Sequence, residues 1–289
     1  MQAARPLRTV LYMPGSNARA LDKARSLDCD GIILDLEDAV APDAKADARK
    51  LVAEAVEAGG YGHRFLILRV NGADTDLQAA DMELAATLAV DAVLLPKVNA
   101  PSDVARARDK LPEATLWAMM ETPLAMLNAR SIAAFGHGEG SGLSGFVMGT
   151  NDLSKDTGAR LVPGRTPMLP WLMTCVAAAR AYGLTVLDGV YNALDDDAGF
   201  AAECEQGRDM GFDGKTVIHP RQLGPCNTIF APDDDEVAFA RRVIEAFGRP
   251  ENATKGAIRV EGKMVERLHA EMAAKTVAKA NAIAARHAA

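Results

Sequence analysis

The sequence predicts an α/β fold, a closed (β/α)₈ barrel of the TIM type with a C-terminal helical extension and lid. Three observations point there. Eight short runs rich in apolar and β-branched residues follow one another along the chain. Helical patterns lie between most of them, and strict β-then-α alternation calls for a parallel sheet with crossover helices. Eight such repeats fill about 250 residues, the usual size of this barrel. A doubly wound sheet is the competing arrangement, since strand count alone does not establish closure.

The predicted strands are TVLYMP (9–14), GIILDL (31–36), FLILRV (65–70), DAVLLPK (91–97), TLWAMME (115–121), GFVMGTND (145–152), LTVLDGV (184–190) and GKTVIHP (214–220). Most are continuous apolar runs, as expected for strands buried on both faces. ARALDKARSL follows the first run, and DAKADARKLVAEAVEAG the second, the latter with apolar residues at helical spacing and a glycine stop. LQAADMELAATL, PSDVARARDKL, PLAMLNARSIAAF and DDDAGFAAECEQGRDMG continue the alternation. GSGLSG (140–145) matches G-x-G-x-x-G, but it precedes a strand where a dinucleotide motif would follow one, so it reads as a loop. The barrel is assigned to residues 1–230. Residues 231–289 form the extension, with one helix over DDDEVAFARRVIEAFG and a long Ala-rich helix from KMVERLHAEM to the end.

Composition narrows the function. The chain has 289 residues, 49% hydrophobic and 25% charged, with a net charge of -7. That is a globular profile, and the acidic balance argues against general nucleic-acid binding, which needs a basic field. Four scattered cysteines without a C-x-x-C pair argue for reduced thiols rather than a disulfide framework or a zinc site. The start lacks an apolar signal core, and no stretch reaches membrane-spanning length, so a cytoplasmic protein without a membrane partner is expected.

In such barrels the chemistry sits at the C-terminal ends of the strands. Charged and turn residues recur there: PGSN after strand one, Glu37 and Asp38 in LEDAV, Arg69 with Asn71, Lys97, Glu121, Asn151 with Asp152, Asp188 and His219. Each has a bland reading. Glu121 stands where a helix begins, and Thr122 or Asp152 could cap one. Arg69 could pair structurally with Glu37 or Asp38, and His219 before Pro220 could be a turn residue. Asp195, Asp196 and Asp197 read as an acidic first helical turn. The set is stronger than its members. Barrel closure would bring Glu121 and Asp152 together, and two nearby carboxylates must share a cation or raise one pKa. Without a His or Cys cluster, a hard ion on oxygen ligands is favoured; Mg²⁺ fits best, with Mn²⁺ the alternative. Arg69 could then grip a substrate carboxylate with two prongs. The turn and helix start in YMPGSNARALDKA could hold phosphate oxygens, with Arg19 and Lys23 adding charge.

LYMPGSNARALDKA, GIILDLEDAVAPDAKADAR, LRVNG, LLPKV, METPLA, GTNDLSKD, LDGVYNALDDDAGF and GKTVIHPRQ occur in this order. Together they resemble the citrate lyase β-subunit-like group of the HpcH/HpaI aldolase superfamily, near its CoA-ester enzymes: malyl-CoA and citramalyl-CoA lyases and malyl-CoA thioesterase. The resemblance covers nearly the whole chain. It implies a TIM barrel that self-associates as a trimer or hexamer and uses Mg²⁺ with a CoA thioester. It further implies Glu121 and Asp152 as metal ligands, Arg69 as the contact to the substrate carboxylate or keto oxygen, Glu37 and Asp38 as an acidic pair near the metal, and Arg19 and Lys23 near the CoA phosphates.

The family's tail carries G-[KR]-x-V-D, whose aspartate comes from a neighbouring subunit's lid and moves a proton at the acyl carbon. Here the segment is GKMVE, placing Glu266 where aspartate is expected, on a side chain one CH₂ longer. A misplacement of about 1 Å can cost on the order of 10²-fold in rate. The resemblance therefore implies first a Mg²⁺-dependent lyase that splits a 3-hydroxyacyl-CoA such as malyl-CoA or citramalyl-CoA into a 2-oxo acid and an acyl-CoA. A thioesterase in the same site is the nearest rival, and no G-x-S-x-G elbow points to a serine hydrolase. A citrate lyase β-subunit working on a carrier-protein thioester and a CoA-independent aldolase of the pyruvate class are further readings.

Overall fold

The computed structural model describes residues 5–138 and 140–287. Eight parallel strands close into a barrel in sequence order: β1 (Thr9–Pro14), β2 (Gly31–Asp35), β3 (Phe65–Arg69), β4 (Ala92–Leu95), β5 (Leu116–Met120), β6 (Leu143–Met148), β7 (Thr185–Asp188) and β8 (Gly214–Val217). Val10 of β1 pairs with Gly31 of β2 on one side and Thr216 of β8 on the other, so no edge remains. Closure excludes the doubly wound alternative.

The helices around it are α1 (Ala18–Ala24), α2 (Lys45–Ala58), α3 (Gln78–Ala85), α4 (Pro101–Lys110), α5 (Pro123–Gly136), α6 (Thr150–Thr157), α7 (Leu169–Tyr182), α8 (Asp197–Met210) and α9 (Leu223–Ile229). Their ends follow ordinary capping chemistry. Asn17, Thr122 and Asp196 accept from backbone N–H groups three residues on, and Gly183 and Gly211 end α7 and α8 in the left-handed region.

The inward-facing side chains Val10, Ile33, Ile67, Leu94, Trp117, Met119, Val147 and Leu187 fill the barrel. Gly145 on β6 makes room for the largest of them, since a Cβ there would lie 2.4 Å from the Trp117 ring. At β7 and β8 a buried ionic ring replaces apolar packing. Asp188 and Lys215 are register partners joined at 3.1 Å; Arg165 Nη1 lies 2.7 Å from both Asp188 oxygens, and Lys215 Nζ lies 2.7 Å from Glu203 Oε1. Asp188 therefore belongs to the wall.

Two compact units emerge, one spanning Leu7–Thr228 and one that joins Arg5 and Pro6 to the chain from Ile229 onward. The second contains α10 (Asp234–Gly248), β9 (Ala257–Val260), β10 (Lys263–Glu266) and α11 (Arg267–His287) around Val243, Val260, Val265 and Ala273. The long helix expected from Lys263 begins only at Arg267. Glu261 and Gly262, at φ 48° and 80°, form a tight turn that folds 263–266 back antiparallel onto 257–260. Glu266 thus ends a strand, and its N–H donates to His269 Nδ1 at 2.9 Å. Among the described residues, no helix is long and apolar enough to cross a membrane.

Candidate active site

The site is built outward from the end of β2. Asp35 is fully buried, and its carboxylate accepts from the N–H groups of Glu37 (2.8 Å) and Ala39 (3.2 Å), winding the LEDAV loop around itself. Lys45 at the start of α2 donates to the carbonyls of Leu36 (2.7 Å) and Glu37 (2.6 Å). Asn71 donates to the Leu36 carbonyl at 3.0 Å and to buried Asp81 at 2.6 Å. With its backbone anchored at three points, the loop holds Glu37 and Asp38 at the rim.

Arg69 ends β3 beside Asp35. Its Nε and Nη2 donate to the two Asp35 oxygens at 2.7 and 2.6 Å. The two-pronged face expected to meet substrate is thus turned to the protein. Nη1 remains, 2.9 Å from Glu37 Oε2 outside hydrogen-bond geometry and 3.5 Å from Asp38 Oδ2. The structural pairing weighed from sequence is present, with Asp35 as the principal partner. Tyr12 of β1 lies beneath, its ring centroid 5.0 Å from the guanidinium carbon.

Glu121 follows β5 directly and is 1% exposed. Its Oε1 accepts from the Lys97 N–H at 2.7 Å, while Oε2 is buried with no hydrogen-bond partner. Lys97 holds a left-handed φ of 52°, rare for a residue with a Cβ, and its Nζ reaches to 3.7 Å from Glu37 Oε1. One lysine therefore touches one carboxylate through its backbone and a second through its side chain. Gly149 faces Glu121 from beyond β6, and a Cβ there would lie 2.4 Å from Glu121 Oε2. Burial, reinforced by the charge of Glu37, pushes the Glu121 pKa up to about 8. Burial likewise raises Glu37 to about 7, with Arg69 opposing.

Asp152, expected at the end of a strand, instead stands in the first turn of α6, because β6 stops at Met148. Even so, Asp152 and Glu121 line one cavity of about 290 Å³ with Asp35, Asp38, Arg69 and Tyr12. Apolar surface comes from Met119, Met148, Val190 and Ile218. Glu37 does not line it. A larger cleft of about 720 Å³ between α3 and α4 includes Lys97 but neither Glu121 nor Asp152, so the carboxylate pair belongs to the smaller cavity. Arg19 and Lys23 are exposed on α1 and line neither cavity.

Among the described residues, no group of three or more Asp, Glu, His or Cys side chains is arranged to hold a metal ion. Two carboxylates with an unpartnered oxygen suit an ion that completes its shell with water and substrate, which is Mg²⁺ behaviour rather than that of zinc. His219 takes its bland role, accepting from the Arg221 N–H at 3.1 Å through Nδ1. Asp195 and Asp197 pair with Arg221 at 3.0 and 3.3 Å, away from the cavity.

Sequence reasoning did not single out Asp35 or Tyr12, nor the backbone role of Lys97. The one available signal for Asp35 was an acid ending an apolar strand two residues before another acid.

The chain is similar to known proteins over most of its length. The profile of the HpcH/HpaI aldolase/citrate lyase family matches residues 8–220. A (3S)-malyl-CoA thioesterase of Cereibacter sphaeroides is 53% identical over 98% of this chain and 97% of its own length. The citrate lyase subunit beta of Escherichia coli is 32% identical over 91% of this chain and 89% of its own. The crystal structure of CitE from Mycobacterium tuberculosis, in complex with magnesium, acetoacetate and coenzyme A, superposes with a TM-score of 0.78 at 28% identity, covering 96% of this chain and 100% of that one. The stretch that forms the barrel and its carboxylate rim is the stretch the profile recognises, and this chain is an enzyme of the HpcH/HpaI aldolase/citrate lyase family.

Proposed function

We propose that the chain hydrolyses a 3-hydroxyacyl-CoA thioester of the malyl type, releasing free CoA and the hydroxy acid. The observation that carries this reading is the likeness to the (3S)-malyl-CoA thioesterase over nearly the whole of both chains, far above that to the citrate lyase subunit. It reverses the order expected from the sequence motifs, where carbon–carbon cleavage came first.

Glu121 and Asp152 are the residues that would hold Mg²⁺, which supplies a Lewis acid to substrate oxygens when bound. Arg69 Nη1 offers positive charge at the cavity wall, and Asp35 fixes its direction through the two remaining contacts. Lys97 orients Glu121 through its N–H, leaving Oε2 without a hydrogen-bond partner. Arg19 and Lys23 are proposed for the CoA phosphates on charge and the family pattern. Glu266, delivered by a neighbouring copy of a trimer or hexamer, is proposed as the carboxylate that takes a proton from the attacking water. Water adds to the thioester carbonyl, the carbon–sulfur bond breaks, and the sulfur leaves as the CoA thiol with the proton returned. The balance needs no redox partner.

A second reading is the lyase, supported by the likeness to citrate lyase subunit beta. There Glu266 would protonate the acyl carbon after carbon–carbon cleavage. The test is product analysis of purified protein with Mg²⁺ and malyl-CoA. Free CoA with malate supports hydrolysis; acetyl-CoA with glyoxylate overturns it in favour of the lyase. Neither product would point to a carrier-protein thioester.

A further inference from the structure

Tyr12 closes the top of the barrel interior. It follows Val10 on the inward face of β1, and its ring packs against the apolar cluster that includes Ile33, Met119 and Val147. The other side of the ring carries the Arg69 guanidinium. Neither contact uses the phenol oxygen, and phenylalanine would serve both. Yet the residue lines the reactive cavity, and its hydroxyl is placed 3.6 Å from Met119 Sδ. A thioether is a weak acceptor, so this is a buried donor whose partner in the structure is a poor one. Burial raises its pKa against the opposing charge of Arg69, with the nearby carboxylates adding to the rise, so the proton stays on.

We propose that the Tyr12 hydroxyl donates to the hydroxyl oxygen of the bound acyl group, making Tyr12 the residue that separates 3-hydroxyacyl substrates from their deoxy analogues. This rests on the reading of the site as one for malyl-type thioesters. A substrate carboxylate is better matched by the guanidinium overhead, whereas a neutral phenol matches a neutral oxygen. Discrimination arises because the analogue would leave a buried donor unmet.

The experiment compares wild type and Tyr12→Phe, both with Mg²⁺. Calorimetry measures the affinity for free malate and free succinate, and turnover is followed with malyl-CoA and succinyl-CoA. We expect Tyr12→Phe to lose roughly five- to tenfold for malate and for malyl-CoA kcat/KM. Succinate and succinyl-CoA should be unchanged, so the preference for the hydroxylated ligand collapses. Equal losses for both ligands would show a packing role and overturn the proposal. So would an unchanged malate affinity, or a wild type with no preference for malate over succinate. If wild type forms no CoA from malyl-CoA, the hydrolase reading fails, while the two affinities for the free acids still decide the role of Tyr12.

Discussion

Asp35 and Arg69 are register partners on adjacent strands, and their side chains meet through two parallel contacts of 2.6 and 2.7 Å. The pair is fully within the protein, with side-chain exposures of 0% and 7%. Its carboxylate also caps the loop that carries Glu37 and Asp38, so a single group organises both an arginine and an acidic loop.

Asp35→Ala should therefore be severe in two ways. It leaves a buried guanidinium without its main partner, at a cost of about 3–5 kcal/mol, and it frees the loop backbone. A large fall in thermal midpoint with loss of turnover is expected. Scanning calorimetry together with a kinetic assay checks it; a stable, active variant would show that the pair does not organise the site.

Gly149 is required for space rather than for backbone freedom, because its φ of -104° suits any residue. Gly149→Ala would put a methyl 2.4 Å from the free oxygen of Glu121. The expected result is a loss of Mg²⁺ affinity and a fall of about 10²-fold in kcat/KM from misplacement of the carboxylate. Titration calorimetry with the metal and steady-state kinetics measure both.

The two raised carboxyls set a pH dependence. Glu37 and Glu121 move from 4.5 in the unfolded chain to about 7 and about 8 in the metal-free fold. Between those limits the folded state holds more protons than the unfolded state, so stability falls as pH rises. The contribution is complete below about pH 4.5 and is lost as pH passes through 7 to 8. Metal-free protein should thus melt at progressively lower temperature between about pH 5.5 and 8, the upper part of that window, and Glu121→Gln should flatten the trend. Mg²⁺ must displace the Glu121 proton, so its affinity should climb over the same interval. Thermal melts with and without the metal read out all three effects.

Glu266 carries the choice of reaction in the proposed scheme. Glu266→Gln should lower turnover by about 10²-fold or more while leaving Mg²⁺ affinity intact, because the proposed ligands lie in the barrel. Glu266→Asp should shift products toward a 2-oxo acid and an acyl-CoA. Chromatography of the reaction mixture decides; an unaltered rate in Glu266→Gln would remove the residue from the mechanism.

The barrel was legible because its strands are short apolar runs separated by helical periodicity, a signal that depends only on neighbours along the chain. Register is not such a signal. That Asp35 lies beside Arg69 is a consequence of strand pairing, and no spacing in GIILDLEDAV states it. Asp152 was read as a strand end because GTND follows an apolar run directly, whereas α6 starts at Thr150 with its acidic residue in the first turn. LPWLMTCVAAARAY forms α7 but has almost no polar face, so the contrast that marks a helix is missing. The β9–β10 hairpin escaped because its strands are only four residues each and merge into a helix of 21. Lys97 was visible as a charge, but its service to Glu121 runs through a backbone N–H, which side-chain identity does not encode.

The ionic ring in the barrel wall joins two cations, Arg165 and Lys215, to two anions, Asp188 and Glu203. Removing Asp188 or Lys215, both fully buried, leaves the remaining members with an unbalanced buried charge, and the penalty of about 3–5 kcal/mol approaches a whole domain's margin of stability. Replacing the set together with apolar groups of similar volume carries no such penalty. Drift through single substitutions is therefore disfavoured at the two buried positions while the combined change stays open. Descendants of this chain are expected to keep the quartet intact or to have exchanged opposite charges in concert, making it a historical marker of lineage rather than a reporter of substrate.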